Sequence, residues 1–196
     1  MTTGLAIGAL LAGLVMLAGG AGRLATDLNG NPIDQLNPPG SRAVMLFFAA
    51  SDCPVSNRYI PEIQRLAKLF EPHGVRVWFV YPNPGDDAKA VRAHDTEYAM
   101  NPRTALDTAQ TIAQMAHATI TPEAAIFVPE DSGTRGSGLR EVYRGRIDDR
   151  YIAFGRERPQ ARHHDLEDAM RAVLDGRPVP QPGGPPVGCS IVTLQP

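Results

Sequence analysis

Cysteine is scarce in this sequence. Among its 196 residues only Cys53 and Cys189 carry a thiol. Two thiols exclude a multiply cross-linked disulfide scaffold. No C-x-x-C pair and no H-E-x-x-H run occurs, so the local patterns of a dithiol redox centre and of a zinc protease are both missing. The chain therefore allows one disulfide bridge, or one working thiol with a distant partner.

An excess of positive charge is also lacking. Lysine and arginine together number 19, against 21 acidic residues, and the net charge is -2. A nucleic-acid surface would need clustered basic residues, so we expect no nucleic-acid partner. The only adjacent histidines, His163 and His164, would point about 100° apart on a helix and would not converge on one metal ion. The sequence predicts no cofactor.

Charged residues are absent from Gly4 to Gly22, a run rich in glycine and alanine that is about long enough to cross a bilayer. This run predicts a signal peptide or an N-terminal membrane anchor over residues 1–22, with small residues near its end for cleavage. The usual preceding Lys or Arg is missing, so a buried helix or a misassigned start codon stays open. Export would place the protein outside the cytoplasm, periplasmic or secreted, where a disulfide can persist.

Apolar patterning predicts alternating strands and helices over residues 23–178. The continuous run Ala43–Ala50 is typical of a strand buried on both faces. The predicted elements that follow are a helix from Cys53 to about Phe70, a strand 75–81, a helix up to Tyr98, a short strand near Ala105, a helix from Asp107 through His117, a hairpin of strands 124–128 and 139–147, and a helix 166–174. Their order predicts an α/β fold with a central mixed sheet flanked by helices. Residues 179–196, rich in proline and glycine, should form an extended tail that carries Cys189.

The stretch FFAASDCPVSNRYIPEI places Cys53 where a buried strand ends and a helix begins. Backbone N–H groups and the helix dipole favour the thiolate form at such a position. Asp52 would oppose this by charge repulsion unless it turns away to cap the helix. Ser56 is expected either to donate a hydrogen bond to the thiolate or to cap the helix. The alternative is a buried, inert cysteine that packs as a small hydrophobic residue.

Three local features of the chain resemble the thioredoxin-like superfamily, within its redoxin or peroxiredoxin-like (AhpC/TSA-type) branch. Cys53 follows the first core strand, Pro61 lies eight residues later inside the helix, and Thr121-Pro122 directly precedes a core strand. The strings DCPVSN, TPEA and YRGRIDDRY, with a late GCSI, strengthen the resemblance, which covers about Leu24 to Ile191. It implies a thioredoxin-like fold in which the cis-proline loop faces Cys53, and in which a cis Pro122 would shape the pocket and leave the Thr121 backbone free to pair with a bound thiol substrate.

The sequence departs from each well-known chemistry of that superfamily. Asp52 replaces the tryptophan that precedes the first cysteine of thioredoxins, and Ser56 replaces their second cysteine. Leu46 and Ala50 stand where peroxiredoxins carry a proline and a threonine. Asn57 stands where copper-delivering relatives carry a second cysteine. The chain thus matches the fold better than any single reaction.

A lone attacking thiol must be resolved by a second thiol, and Cys189 is the only internal candidate. The favoured hypothesis is an exported thiol-based oxidoreductase, in which thiol–disulfide exchange ranks slightly above peroxide reduction because the upstream threonine is missing. Its expected partners are a thiol or disulfide protein or a small peroxide as substrate, and an external thiol reductant. Cys189 could instead be unpaired or form a static bridge with Cys53.

Two other functions stay open at this point. Cys53 and Cys189 could be soft copper ligands together with a histidine or methionine, or the domain could be a non-catalytic interaction protein.

The charged group Arg146, Asp148, Asp149 and Arg150 is expected to form solvated ion pairs; the resemblance instead implies that Arg146 steadies the Cys53 thiolate. The histidines His73, His94 and His117 are expected on surfaces or turns.

Overall fold

A computed structural model describes residues 22–130 and 138–194. The predicted leader 1–22 lies outside these residues except for Gly22. The described chain forms eleven strands and four α-helices: β1 Ala25–Thr26, β2 Pro32–Ile33, β3 Ala43–Phe48, α1 Pro54–Phe70, β4 Val75–Tyr81, α2 Ala88–Glu97, β5 Arg103–Leu106, α3 Thr111–Met115, β6 Ile120–Thr121, β7 Glu123–Pro129, β8 Leu139–Gly145, β9 Tyr151–Ala153, β10 Arg156–Glu157, α4 Asp165–Leu174 and β11 Cys189–Ser190.

The central sheet has seven strands in the order β2-β1-β5-β4-β3-β7-β8. Strands β3, β4 and β5 run parallel to one another, whereas β7 is antiparallel to β3, β8 to β7, and β1 to β5. This confirms the predicted mixed sheet and the predicted hairpin. Parallel neighbours need a crossover, and α1 supplies it between β3 and β4.

Strand β3 lies at the middle of the sheet and is fully buried. Its side chains alternate between two cores, as the period of two requires. Met45 and Phe47 pack in the core that holds the buried faces of α1 and α4, and Val44, Leu46 and Phe48 pack in the core that holds Ile112 of α3. Burial on both faces explains why the sequence of this strand is a continuous apolar run.

Helix α1 begins immediately after Cys53, with Pro54 in its first turn. Proline fits there because the first N–H groups of a helix have no intrahelical acceptor. Pro61 lies inside the helix. The helix passes into a short 3₁₀ turn that ends at Gly74, whose φ of 85° is left-handed, so glycine is the residue that this turn requires.

Several predicted details are wrong. Helix α3 spans only Thr111–Met115 and so stops short of His117, although Asp107 accepts a hydrogen bond from Ala113 N in its first turn, as a capping side chain does. His94 is buried, not exposed. The small strands β1, β2, β9 and β10 were not predicted, since segments of two or three residues carry no detectable periodicity.

Across the described part of the chain, none of the helices combines the length and the apolar character that a bilayer crossing would require.

The packing of α1 against the sheet predicts the effect of truncating its apolar face. Ile63→Ala removes a fully buried side chain and should lower the free energy of unfolding by about 2–5 kcal/mol. Lys68→Ala, on the exposed face of the same helix, should change it by less than about 0.5 kcal/mol. Urea denaturation of both variants measures the difference; equal effects would contradict this assignment of the two faces.

Candidate active site around Cys53

Cys53 is completely buried at the N-terminal end of α1. Its backbone is extended, with φ of -87° and ψ of 112°, and its carbonyl accepts the first helical hydrogen bond, from Asn57 N at 3.0 Å. The Sγ atom donates a hydrogen bond to the carbonyl oxygen of Thr121, at 3.1 Å. The Cys53 thiol thus contacts a backbone carbonyl that lies 68 residues further along the chain.

The Thr121-Pro122 peptide bond is cis. Strand β6, which ends at Thr121, pairs antiparallel with β11 in the tail, and Cys189 is the register partner of Thr121. Thr121 thus contacts both cysteine residues: its carbonyl accepts from Cys53, and its hydroxyl donates to the Cys189 carbonyl at 3.4 Å. Both cysteines are free thiols in this structure.

The surroundings of Cys189 disfavour its ionised form. Burial raises the pKa of Cys189 well above its ordinary value, and the nearby Cys53 and Asp52 raise it further. The Cys189 thiol therefore stays protonated beside Cys53.

Gly188 allows the tail to approach the Thr121-Pro122 loop. A Cβ atom at this position would lie 2.1 Å from the Thr121 carbonyl oxygen and 2.8 Å from Pro122 Cδ. No side chain fits in that space without moving backbone. Glycine before Cys189 therefore permits the tail to lie this close to Thr121.

Polar side chains hold the loop that leads into Cys53. Asp86 Oδ1 accepts hydrogen bonds from both the backbone N–H and the hydroxyl of Ser51. Asn57 Nδ2 donates to Ser51 O at 3.1 Å. These contacts fix the turn from both sides, because Asp86 follows β4 and Asn57 lies in the first turn of α1.

A buried histidine holds Asn57 in turn. His94 Nε2 lies 2.8 Å from Asn57 Oδ1, and His94 Nδ1 lies 3.1 Å from the Tyr81 hydroxyl. Because Asn57 Oδ1 is an acceptor, Nε2 carries the proton and Nδ1 accepts from Tyr81. Burial is the main cause that lowers the pKa of His94, which keeps the imidazole neutral. Sequence reasoning missed this residue, because a helix with few apolar positions gave no sign that His94 faces inwards.

The other predicted site residues lie as follows. Ser56 is fully buried, and its Oγ accepts a hydrogen bond from Ala50 N at 3.4 Å. It therefore supports the loop that joins β3 to α1. Asp52 is exposed, and no side chain caps α1. Arg146 forms a two-pronged ion pair with Asp165, at 2.8 and 3.2 Å. The tail glycines Gly183 and Gly184 lie against its guanidinium.

The charged group after the hairpin is less solvated than expected. Asp148 and Asp149 are both nearly buried. Asp148 accepts from the Tyr59 hydroxyl at 2.5 Å, and Asp149 accepts from the backbone N–H groups of Arg162 and His163. The expectation of solvated ion pairs is therefore wrong for these two carboxylates, of which Asp149 holds the chain that enters α4.

Within residues 22–130 and 138–194, no group of three or more His, Cys, Asp or Glu side chains is arranged to hold a metal ion.

The environment of Asp86 predicts a pH dependence of stability. Burial raises the pKa of Asp86, although the Ser51 hydrogen bonds oppose the rise. A carboxyl group whose pKa is higher in the folded state stabilises the fold below the unfolded pKa of about 3.9 and loses that contribution as pH rises. The free energy of unfolding of Asp86→Asn should therefore rise relative to that of the natural protein as the pH increases from about 4.5 to about 7.5. Denaturant unfolding at both pH values measures this; a constant difference would contradict it.

Comparison with known proteins identifies the family of this chain. The model of the AhpC/TSA family matches residues 24–137. A search of curated proteins found no match. An uncharacterized conserved protein from Geobacillus kaustophilus has 27% sequence identity, with 87% of this chain and 88% of that chain covered and a TM-score of 0.68.

Two further solved structures share the fold. A hypothetical protein from Sinorhizobium meliloti 1021 has 24% identity, 87% and 91% coverage and a TM-score of 0.69. DsbF of Mycobacterium tuberculosis, solved in mixed oxidized and reduced forms, has 17% identity, 78% and 92% coverage and a TM-score of 0.50. The fold is thioredoxin-like, and the family match supports a thiol-based redox function in general terms. The chain belongs to the AhpC/TSA family.

Proposed function

We propose that this protein is a thiol-based oxidoreductase in which Cys53 attacks the substrate and Cys189 resolves the product. The observation that carries the proposal is the position of Thr121: its carbonyl accepts from the Cys53 thiol, and its β-bridge partner is Cys189. A side-chain hydrogen bond from Cys53 also contributes to the raised pKa of Cys189, so the two side chains lie near each other, as a disulfide requires. Family membership supports the same chemistry.

Thiol–disulfide exchange is the favoured reaction. The Cys53 thiolate attacks one sulfur of a partner disulfide, which forms a mixed disulfide and releases the other sulfur as a thiolate. Cys189 loses its proton and attacks the Cys53 sulfur, which forms the Cys53–Cys189 disulfide and releases the second partner thiolate. The partner disulfide is reduced to two thiols and the protein is oxidised by two electrons. An external dithiol restores both cysteines and leaves as a disulfide.

Reduction of a small hydroperoxide uses the same two cysteines. The Cys53 thiolate attacks one oxygen of the hydroperoxide, the O–O bond breaks, and Cys53 becomes a sulfenic acid while water or an alcohol leaves. Cys189 then condenses with the sulfenic acid, releasing water and forming the same disulfide. Ala50, at the position of the peroxiredoxin threonine, offers no hydroxyl beside the thiol and is itself buried. We therefore rank exchange above peroxide reduction.

The remaining site residues act by positioning. Cis-Pro122 and Thr121 present the carbonyl that the Cys53 thiol contacts. Ser56 holds the backbone at Ala50, and Arg146 orients Asp165 beneath the tail rather than steadying the thiolate. In this proposal Arg146 therefore helps to position the tail that carries Cys189.

We also propose that the protein is exported, as residues 1–22 suggest, with a redox domain at 23–178 and a tail at 179–196. The apolar run lies outside the described residues, so its sequence alone supports this part. Fractionation of cells that express the full chain tests it. The protein and its activity should appear in the extracytoplasmic or membrane fraction; recovery only with cytosolic markers would contradict export.

A stoichiometric dose of hydrogen peroxide should join the two cysteines. In reduced protein, alkylation followed by peptide mass spectrometry should show loss of both free thiols and a linked pair of peptides containing Cys53 and Cys189. Cys189→Ser should leave a sulfenic acid on Cys53 instead. Cys53→Ser should leave Cys189 free, because the remaining thiol is not the attacking group.

The matched control is Lys68→Ala, which changes an exposed side chain of the same helix away from both thiols. It should still form the disulfide. Two thiols that stay free after peroxide in the natural protein, or a disulfide that links two molecules, would overturn the proposed pairing.

A further inference from the structure

Residues 182–192 form a strap that crosses the mouth of the Cys53 site. Its first end is fixed beside α4: Gly183 N donates to Asp165 Oδ1 at 2.7 Å. Pro182 packs so closely on Gly145 that a Cβ at residue 145 would lie 2.8 Å from it. The Arg146–Asp165 ion pair therefore serves as the platform for this end.

The middle of the strap lies along the short strand edge Thr119–Thr121. Cys189 and Ser190 pair antiparallel with Thr121 and Ile120, and Ile191 N donates to Thr119 O at 2.9 Å. Gly188 sits directly on the Thr121 carbonyl. The strap thus uses the backbone groups of this edge, which an incoming extended chain would otherwise pair with.

Two amide side chains clamp the far end. Asn83 Oδ1 accepts from Val192 N at 2.9 Å, and Gln110 Nε2 donates to Val192 O at 2.6 Å. Val192 is itself 55% exposed, so the apolar contact at this end comes from the neighbouring Ile191, which is only partly buried against the core. A segment held by a few hydrogen bonds can open locally at low cost.

Cys53 has no solvent-exposed surface while the strap is in place, and the strap's own Cys189 is partly exposed. We infer that the strap excludes polypeptide-sized partners from Cys53 until it lifts from the Thr119–Thr121 edge. A small reagent needs only a partial opening, whereas a protein partner needs the whole edge. This inference deepens the proposed function, because it states what controls access to the same thiol.

Initial alkylation rates of Cys53 test this in the reduced full chain. Iodoacetamide serves as a small reagent and a polyethylene-glycol maleimide as a large one, with peptide mapping to assign the site. Asn83→Ala and Gln110→Ala each remove one clamp contact and should raise the large-to-small rate ratio about fivefold, with a greater rise in the double variant. The ratio matters because a change in thiolate fraction multiplies both rates equally.

Gly188→Ala tests the middle of the strap by a different route, since its Cβ meets the Thr121 carbonyl. It should raise the same ratio. Gly85→Ala, where a Cβ meets nothing within 4 Å, and Gln114→Ala, on the exposed side of α3, should leave the ratio unchanged.

An unchanged ratio in the clamp and Gly188 variants would overturn the inference, as would equally fast labelling of Cys53 by both reagents in the natural protein. Alkylation does not require a disulfide, so the two proposals fail separately. If the variants open the site and peroxide still joins no cysteines, the strap controls access but the redox pairing is wrong.

Discussion

The site depends on one backbone segment, Thr121 and the cis-proline that follows it. The segment lies between a helix N-terminus and the returning tail, and it offers its carbonyl to Cys53 on one side and its strand edge to Cys189 on the other. Distant parts of the chain meet here because the end of β3 lies beside the start of β7, and the tail pairs with Thr121 just before β7 begins.

Rigidity in the core supports this meeting point. Strand β3 is held by β4 and β7 and buried on both faces, so the turn that follows it has a fixed origin. Ser51, Asn57, Asp86 and His94 then fix the turn itself through part-buried hydrogen bonds. A connected polar network of this kind specifies one geometry, because each broken bond leaves an unsatisfied group. The two ends of the strap are held in part by hydrogen bonds that are exposed to solvent.

Strongly periodic elements were predictable from sequence, and contacts between distant residues were not. The apolar run of β3, the amphipathic α1 and the hairpin of β7 and β8 all follow from local patterns. The position of Cys53 followed from a strand that ends where a helix begins. The cis bond at Pro122 was expected only from the resemblance to a family, since most X-Pro bonds are trans.

The roles of Gly188, Gln110 and His94 could not be predicted, because each depends on where the fold brings a remote backbone. Gly188 looks like any glycine of a proline-rich tail until Thr121 is beside it. Gln110 has a left-handed backbone, with φ of 59°, and bonds both Pro82 and Val192. His94 was expected at the surface and is instead buried in the support of the active-site loop.

The most direct test of the paired-cysteine account is a redox titration against dithiothreitol couples, read by maleimide gel shift at two protein concentrations. An intramolecular Cys53–Cys189 pair predicts a single two-electron transition whose midpoint does not move with protein concentration. A midpoint that moves with concentration would mean that the disulfide joins separate molecules. No transition at all would mean that the thiols do not exchange electrons as a pair, and either result would contradict the account.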